Sequence, residues 1–164
     1  MIWCRALVLV QGQKMLQFVL QLDLFQNGGV DVVRHKKELA ATIGKLQEAG
    51  IIVSLFIDPE PEQIQTAAAL SVPAVELHTG AYANAAKNSL EELQLLARAA
   101  TFVHQAGLIL NAGHGLTYRN VTPVAELEGM EELNIGHFLI SDAIFNGLKN
   151  SIIKMKKIIK ESTI

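Results

Sequence analysis

The sequence predicts an α/β fold built on a parallel sheet. Short apolar runs rich in Ile and Val alternate with longer segments of helical periodicity. Polar residues that could carry chemistry fall in or beside those runs: Asp58, Glu76 to Thr79, Asn111, His114, Gly136 and His137. No linker or low-complexity stretch interrupts the alternation, so residues 28–164 read as one domain, preceded by an apolar segment, 1–27, that does not share the rhythm. A first helix followed by about four strand–helix units is the expected order.

Taken in order, HKKELAATIGKLQEAG (35–50) places Leu39, Ile43 and Leu46 at helical spacing and stops at Gly50. IIVSLFID (51–58) is a continuous apolar run, as expected of a strand buried on both faces. Pro59 and Pro61 end it and open a short helix from Glu62 to Leu70. Pro73 precedes a second strand, AVELHTG (74–80). NSLEELQLLARAATFVHQAG (88–107) is the clearest helix: Ser89 as cap, Glu92 as capping-box partner, and Leu93, Leu96, Ala97, Ala100 and Val103 as the buried stripe. LILNAGHG (108–115) predicts a third strand with its loop, and VTPVAELEGM (121–130) a turn and short helix. NIGHFLISDAIF (134–145) predicts a fourth strand centred on Phe138, Leu139 and Ile140, and a last helix runs from Asn146 to Lys160.

Composition narrows the function classes. Half the residues are hydrophobic, 18% are charged, and the net charge is −2, so nothing in the chain could grip nucleic acid. The lysines at 154, 156, 157 and 160 read as a solvated helix end that suits the negative end of the macrodipole. A single cysteine, Cys4, permits no intrachain disulfide and fits a cytoplasmic setting. No apolar run reaches the roughly 18 residues of a membrane span, and no signal-peptide cleavage site is clear.

In parallel α/β folds, ligands sit at the carboxyl ends of the strands. Glu76 lies inside an apolar strand. Desolvation would raise its pKa and suit it to acid–base work or to stabilising positive charge; pairing with a buried Lys or Arg is an equal alternative. His114, between Gly113 and Gly115, reads as a general acid or base, a metal ligand with His78 and His137, or a turn histidine bonded to backbone. The metal reading lacks a fourth ligand set and a His-x-His pair. Gly115 on one loop, and Gly136 with His137 on the next, could present backbone N–H groups to a phosphate. Asp58, ahead of Pro59, reads as a helix cap.

VSLFIDPEPEQI, VELHTGAYANA, LNAGHGLTYRNV and ELNIGHFLI, in this order and spacing, resemble pyridoxine 5′-phosphate synthase from about Gly28 onward. The resemblance implies the carboxyl-terminal portion of a (β/α)8 TIM barrel, normally part of a homo-octamer. The implied activity is that of a transferase of vitamin B6 biosynthesis. It condenses 1-deoxy-D-xylulose 5-phosphate with 3-amino-2-oxopropyl phosphate, and requires no metal or organic cofactor. Glu76 matches a carboxylate that stabilises charged intermediates, and His114 a proton-donating histidine. Gly115, Gly136 and His137 match positions that hold the amino-ketone phosphate. The expected partners are therefore small phosphorylated substrates, with no nucleic acid and no membrane.

The sequence also departs from the family. KMLQFVLQLDLFQNGG puts Phe25 and Gln26 where the family carries threonines, and the match breaks abruptly near Asn27, as a shifted reading frame or start would produce. The family's functional residues from its first strands have no counterpart here. The expectations are thus the condensation itself, or an inactive fragment, or a chain that acts only beside a complementing half. A zinc hydrolase is the remaining alternative.

Overall fold

The computed structural model describes residues 28–85 and 89–162. Phe25, Gln26 and the break near Asn27 lie outside the described residues. The elements are α1 (Lys36–Glu48), β1 (Ser54–Ile57), α2 (Pro61–Ala69), β2 (Ala74–His78), α3 (Gly80–Asn84), α4 (Ser89–Gln105), β3 (Ile109–Gly113), α5 (Val121–Ala125), β4 (Met130–Asn134), α6 (His137–Asn146) and α7 (Leu148–Ser162).

The strands form one four-stranded parallel sheet in the order β1-β2-β3-β4. Each strand is joined to the next through at least one helix, as parallel pairing requires. Alternation gives the sheet two different faces. Leu55, Ile57, Val75, Leu77, Leu110 and Ala112 lie on one face, all buried. They share a core with Leu39 and Ile43 of α1, Ile64 and Ala67 of α2, and Leu96, Ala100 and Val103 of α4. Each fully buried Leu, Ile or Val contributes about 1.5–3 kcal/mol. The opposite face carries Phe56, Glu76, Asn111 and Glu132, paired across the four strands in one row. His78, Gly113 and Asn134 form a second row nearer the carboxyl edge.

Two expectations need correction. The fourth strand is Met130–Asn134, not 134–145. Phe138, Leu139 and Ile140 instead sit in α6, which has no fully buried residue and leaves Ile140, Ile144 and Phe145 exposed. A short apolar run fits a helix as well as a strand. The true strand, MEELN, sits at the sheet edge, where charged residues are tolerated. Between β3 and β4 the register slips after Leu110, leaving Glu131 as the extra residue of a bulge. In α4 the buried stripe is Leu96, Ala99, Ala100 and Val103, with Ala97 outward. Ser89 is the first described residue of that helix, so the expected cap lies at the limit of the described residues.

Candidate functional site at the carboxyl edge of the sheet

Because all four strands run parallel, the residues following each of them emerge at one edge. Asp58 follows β1, His78 ends β2, Gly113 to Gly115 end and follow β3, and Gly136 and His137 follow β4. The fold therefore brings His114, Gly115, Gly136 and His137 to one rim, with Glu76 two residues below it in β2. They arrive there in different ways.

Glu76 is 5% exposed and stands in the centre of β2 on the polar face. Its Oε1 reaches across to Gly113 of β3, where any Cβ would overlap it. His114 follows immediately, with a left-handed φ of 83° that a side chain rarely adopts. Three contacts surround that strained position. Thr79 Oγ1 lies 2.7 Å from Gly113 O and 2.6 Å from His114 O, its one proton shared between the two carbonyls. Thr79 N–H donates to Gly113 O at 2.9 Å. The His114 ring meets the His78 ring edge-on, with centroids 4.8 Å apart.

His78 is itself held. Its Nδ1 lies 2.9 Å from Asp58 Oδ1, which also accepts the Gly29 N–H at 3.0 Å. The hydrogen bond from His78 is the main influence holding the Asp58 carboxyl below its ordinary range; partial burial opposes it, and the Gly29 N–H adds to the lowering. Phe56 closes the cluster, its ring 5.1 Å from that of His78. Asp58 is thus no helix cap. Glu60 holds the N-cap position of α2, and it makes no side-chain cap bond.

The glycines act differently from one another. Gly115 has φ 77°, and a Cβ there would come 2.7 Å from Ala83 Cβ, so its smallness lets α3 approach the loop. Gly136 is the N-cap of α6 with open space around it, and His137 is the exposed first residue of that helix. His78 and His114 meet, yet among the described residues no three His, Cys, Asp or Glu side chains gather as a metal-ligand set.

Two polar neighbours complete the row: Asn111, noted in its strand from sequence but given no role, and Glu132, not singled out from sequence. Asn111 is fully buried beside Glu76 in the register, and among the described residues neither its Oδ1 nor its Nδ2 has a hydrogen-bond partner. Glu132, next in the row, has its pKa raised by burial first and by the charge of Glu131 second. The signal was the period of two: Glu76 and His78 share a face, as do Asn111 and Gly113. Among the described residues, no helix is long and apolar enough to cross a membrane.

Two solved structures share the fold at low identity and carry no more than that. A chain of the Amycolatopsis orientalis BexX/CysO complex aligns with TM-score 0.52 and 16% identity, over 76% of this chain and 48% of that one. The recombinant flavin-binding domain of baker's yeast flavocytochrome b2 aligns with TM-score 0.55 and 17% identity, over 77% and 32%. Sequence relatives are much nearer. The pyridoxine 5′-phosphate synthase of Gluconobacter oxydans (strain 621H) is 57% identical over 137 residues, covering 84% of this chain and 58% of the relative. Those of Magnetococcus marinus and Rhodopirellula baltica are each 46% identical, covering 85% and 87% of this chain. The chain spans 58% of the length of each of these three relatives. The model of the pyridoxal phosphate biosynthesis protein PdxJ matches residues 21–161, starting seven residues ahead of Gly28, where the resemblance was expected to begin. With most of its length inside that match, the chain belongs to the PdxJ family.

Proposed function

We propose that this chain provides the carboxyl-terminal part of a (β/α)8 barrel that makes pyridoxine 5′-phosphate. The reaction joins 1-deoxy-D-xylulose 5-phosphate to 3-amino-2-oxopropyl phosphate, releasing inorganic phosphate and water. The observation that carries the reading is the meeting of Glu76 with the Gly113–His114 turn at the carboxyl edge of a parallel sheet. Ring closure passes through cationic carbon–nitrogen species and several proton transfers. A buried carboxylate beside that turn suits the cations, and a rim histidine suits the protons. Gly115, Gly136 and His137 would hold the amino-ketone phosphate through backbone N–H groups and the imidazole. The ten-residue helix α6 begins at His137, so its amide dipoles favour an anion there. No step in this scheme needs a metal or organic cofactor. The reaction would make the chain a transferase, working on small phosphorylated substrates in the cytoplasm and within the homo-octamer expected of the family.

A second reading rests on the sheet itself. Among the described residues there are four strands, with β1 and β4 as open edges, whereas a closed barrel takes eight. On this reading the chain is inactive alone and works with a chain that supplies the other strands. One experiment separates the two. Purified protein is incubated with both phosphorylated substrates and pyridoxine 5′-phosphate is measured, with and without the amino-terminal half of a full-length relative. Product in both samples supports the first reading, and product only with the added half supports the second. Product in neither defeats both.

A further inference from the structure

The Asp58–His78 pair has no part in the scheme above, yet it touches the residue on which that scheme turns. Asp58 carries only acceptors, so the 2.9 Å contact requires a proton on His78 Nδ1. In the neutral ring that assigns the tautomer with the proton on Nδ1 and Nε2 bare, since the bond made by one ring nitrogen sets the state of the other. The bare edge points inward. A Cβ built on Gly80 would overlap His78 Nε2, and would lie 2.8 Å from His78 Cε1 and 3.1 Å from His114 Cδ2. The two imidazoles therefore converge over one glycine, with no room for even a methyl group. Behind them, Thr79 shares its hydroxyl proton with the His114 carbonyl and so braces the left-handed backbone from the same strand end.

We propose that Asp58 and His78 are a positioning pair that holds the His114 ring in place at the rim. The proposal deepens the condensation reading and rests on it for the chemistry of His114. Asp58 fixes the tautomer and tilt of His78, whose 8% exposure leaves it little freedom. The His78 ring then forms the wall against which exposed His114 stands. Asp58 is reinforced by the Gly29 N–H, so the segment ahead of α1 is tied to the same device.

The test uses the whole chain labelled with ¹⁵N-histidine. Long-range ¹H–¹⁵N correlation spectra read the tautomer of each imidazole in the native protein, in Asp58→Asn and in Gly80→Ala. The native spectrum should show His78 protonated at Nδ1 and bare at Nε2. Asp58→Asn should abolish that single tautomer and shift the ring signals of His114, leaving those of His104, which bonds the Glu128 carbonyl, unmoved. Gly80→Ala should shift both His78 and His114 without altering any charge, and it serves if the first variant fails to fold. A native His78 protonated at Nε2, or His114 signals unchanged in every folded variant, would overturn the pair. Turnover is then measured in whichever sample of the condensation assay makes product. There Asp58→Asn should lower kcat on the order of tenfold and change KM less than about twofold. An unchanged kcat overturns the positioning role. Absence of product from the native protein in every sample counts against the condensation alone, because the spectra judge the pair without substrate.

Discussion

Glu76 Oε1 occupies the space that any side chain on Gly113 would need. The two residues are on neighbouring strands, two positions apart along the sheet, and the carboxylate crosses that interval by lying over bare backbone. A Cβ at Gly113 would also stand 2.7 Å from Asn134 O and 3.0 Å from Asn134 Cβ, so nothing nearby can yield cheaply. Gly113→Ala should therefore destabilise the chain by about 1–3 kcal/mol, the usual range for overpacking. Urea unfolding followed by circular dichroism measures it. An unchanged midpoint would mean that Glu76 moves aside freely, and its place below the rim would then not be fixed.

Much of this arrangement could be read from sequence because the central strands announce themselves. VSLFI, AVELH and LILNAG are apolar runs bounded by Pro or Gly, and a polar residue inside such a run must face a site or a partner. What stayed hidden has physical causes. MEELN carries two glutamates because β4 is an edge strand with a bulge, and edges need no apolar alternation. Phe138 to Ile140 mimic a strand because three apolar residues in a row have no readable period. Asp58 before Pro59 looks like a cap by local chemistry. Its real partner, His78, is 20 residues away, and no local pattern could disclose it. In α4 the expected stripe shares Leu96, Ala100 and Val103 with the buried one and differs at Ala97 in place of Ala99, because alanines occur at both positions.

The Asp58–His78 contact predicts an acid sensitivity with a definite sign. The folded pKa of Asp58 lies below its unfolded value, so the group favours the native state while it is ionised. That contribution is complete above the unfolded value of about 3.9 and is lost as the pH falls through the folded pKa. Asp58→Asn should flatten the decline in stability between about pH 5 and pH 2, where native protein loses this term. The Asp58 side chain is 43% exposed, so solvent screening keeps the effect small. Urea midpoints measured across that range for both proteins decide it. Parallel curves would show that the pair adds no stability.

Asn111 offers the opposite balance. Its amide is fully buried, and among the described residues both polar atoms lack partners, a condition that typically costs about 1–3 kcal/mol. Asn111→Leu exchanges the amide for an apolar side chain of similar shape. It should leave stability equal or higher by about 1 kcal/mol, because apolar replacement of an unsatisfied group is neutral or stabilising. Under the proposed function the same change should lower turnover, since the amide stands beside Glu76 in the register. A thermal midpoint several degrees lower would show instead that Asn111 has a structural role.

Away from the rim, Tyr118 joins the loop after β3 to the last two helices. Its hydroxyl donates to Asp142 Oδ2 at 2.8 Å, and the Ser151 hydroxyl donates to the same oxygen at 2.6 Å. Lys154 Nζ lies 4.3 Å from the centre of the Tyr118 ring. Bonds from Ser151 and then Tyr118 hold the Asp142 carboxyl below its ordinary range. Ser151 is buried, so Ser151→Ala should lower the thermal midpoint and loosen α7. Hydrogen exchange of α7 amides reads this directly, and unchanged protection would leave the network without structural weight.

His114 sets stability against function at a single backbone angle. A non-glycine residue in the left-handed region costs on the order of 1–3 kcal/mol, and His114 has φ 83° without being a glycine. Thr79 and the His78 ring hold it there. His114→Gly removes the strain and the imidazole together, whereas His114→Ala removes the imidazole and keeps the strain. The glycine variant should therefore be more stable than the alanine variant by about 1 kcal/mol, and at least as stable as the native chain. Both variants should lose product formation to the same extent in whichever assay sample supports it. Chemical denaturation of the three proteins ranks them, and a native chain clearly more stable than His114→Gly would mean that the imidazole is held for packing rather than for proton transfer.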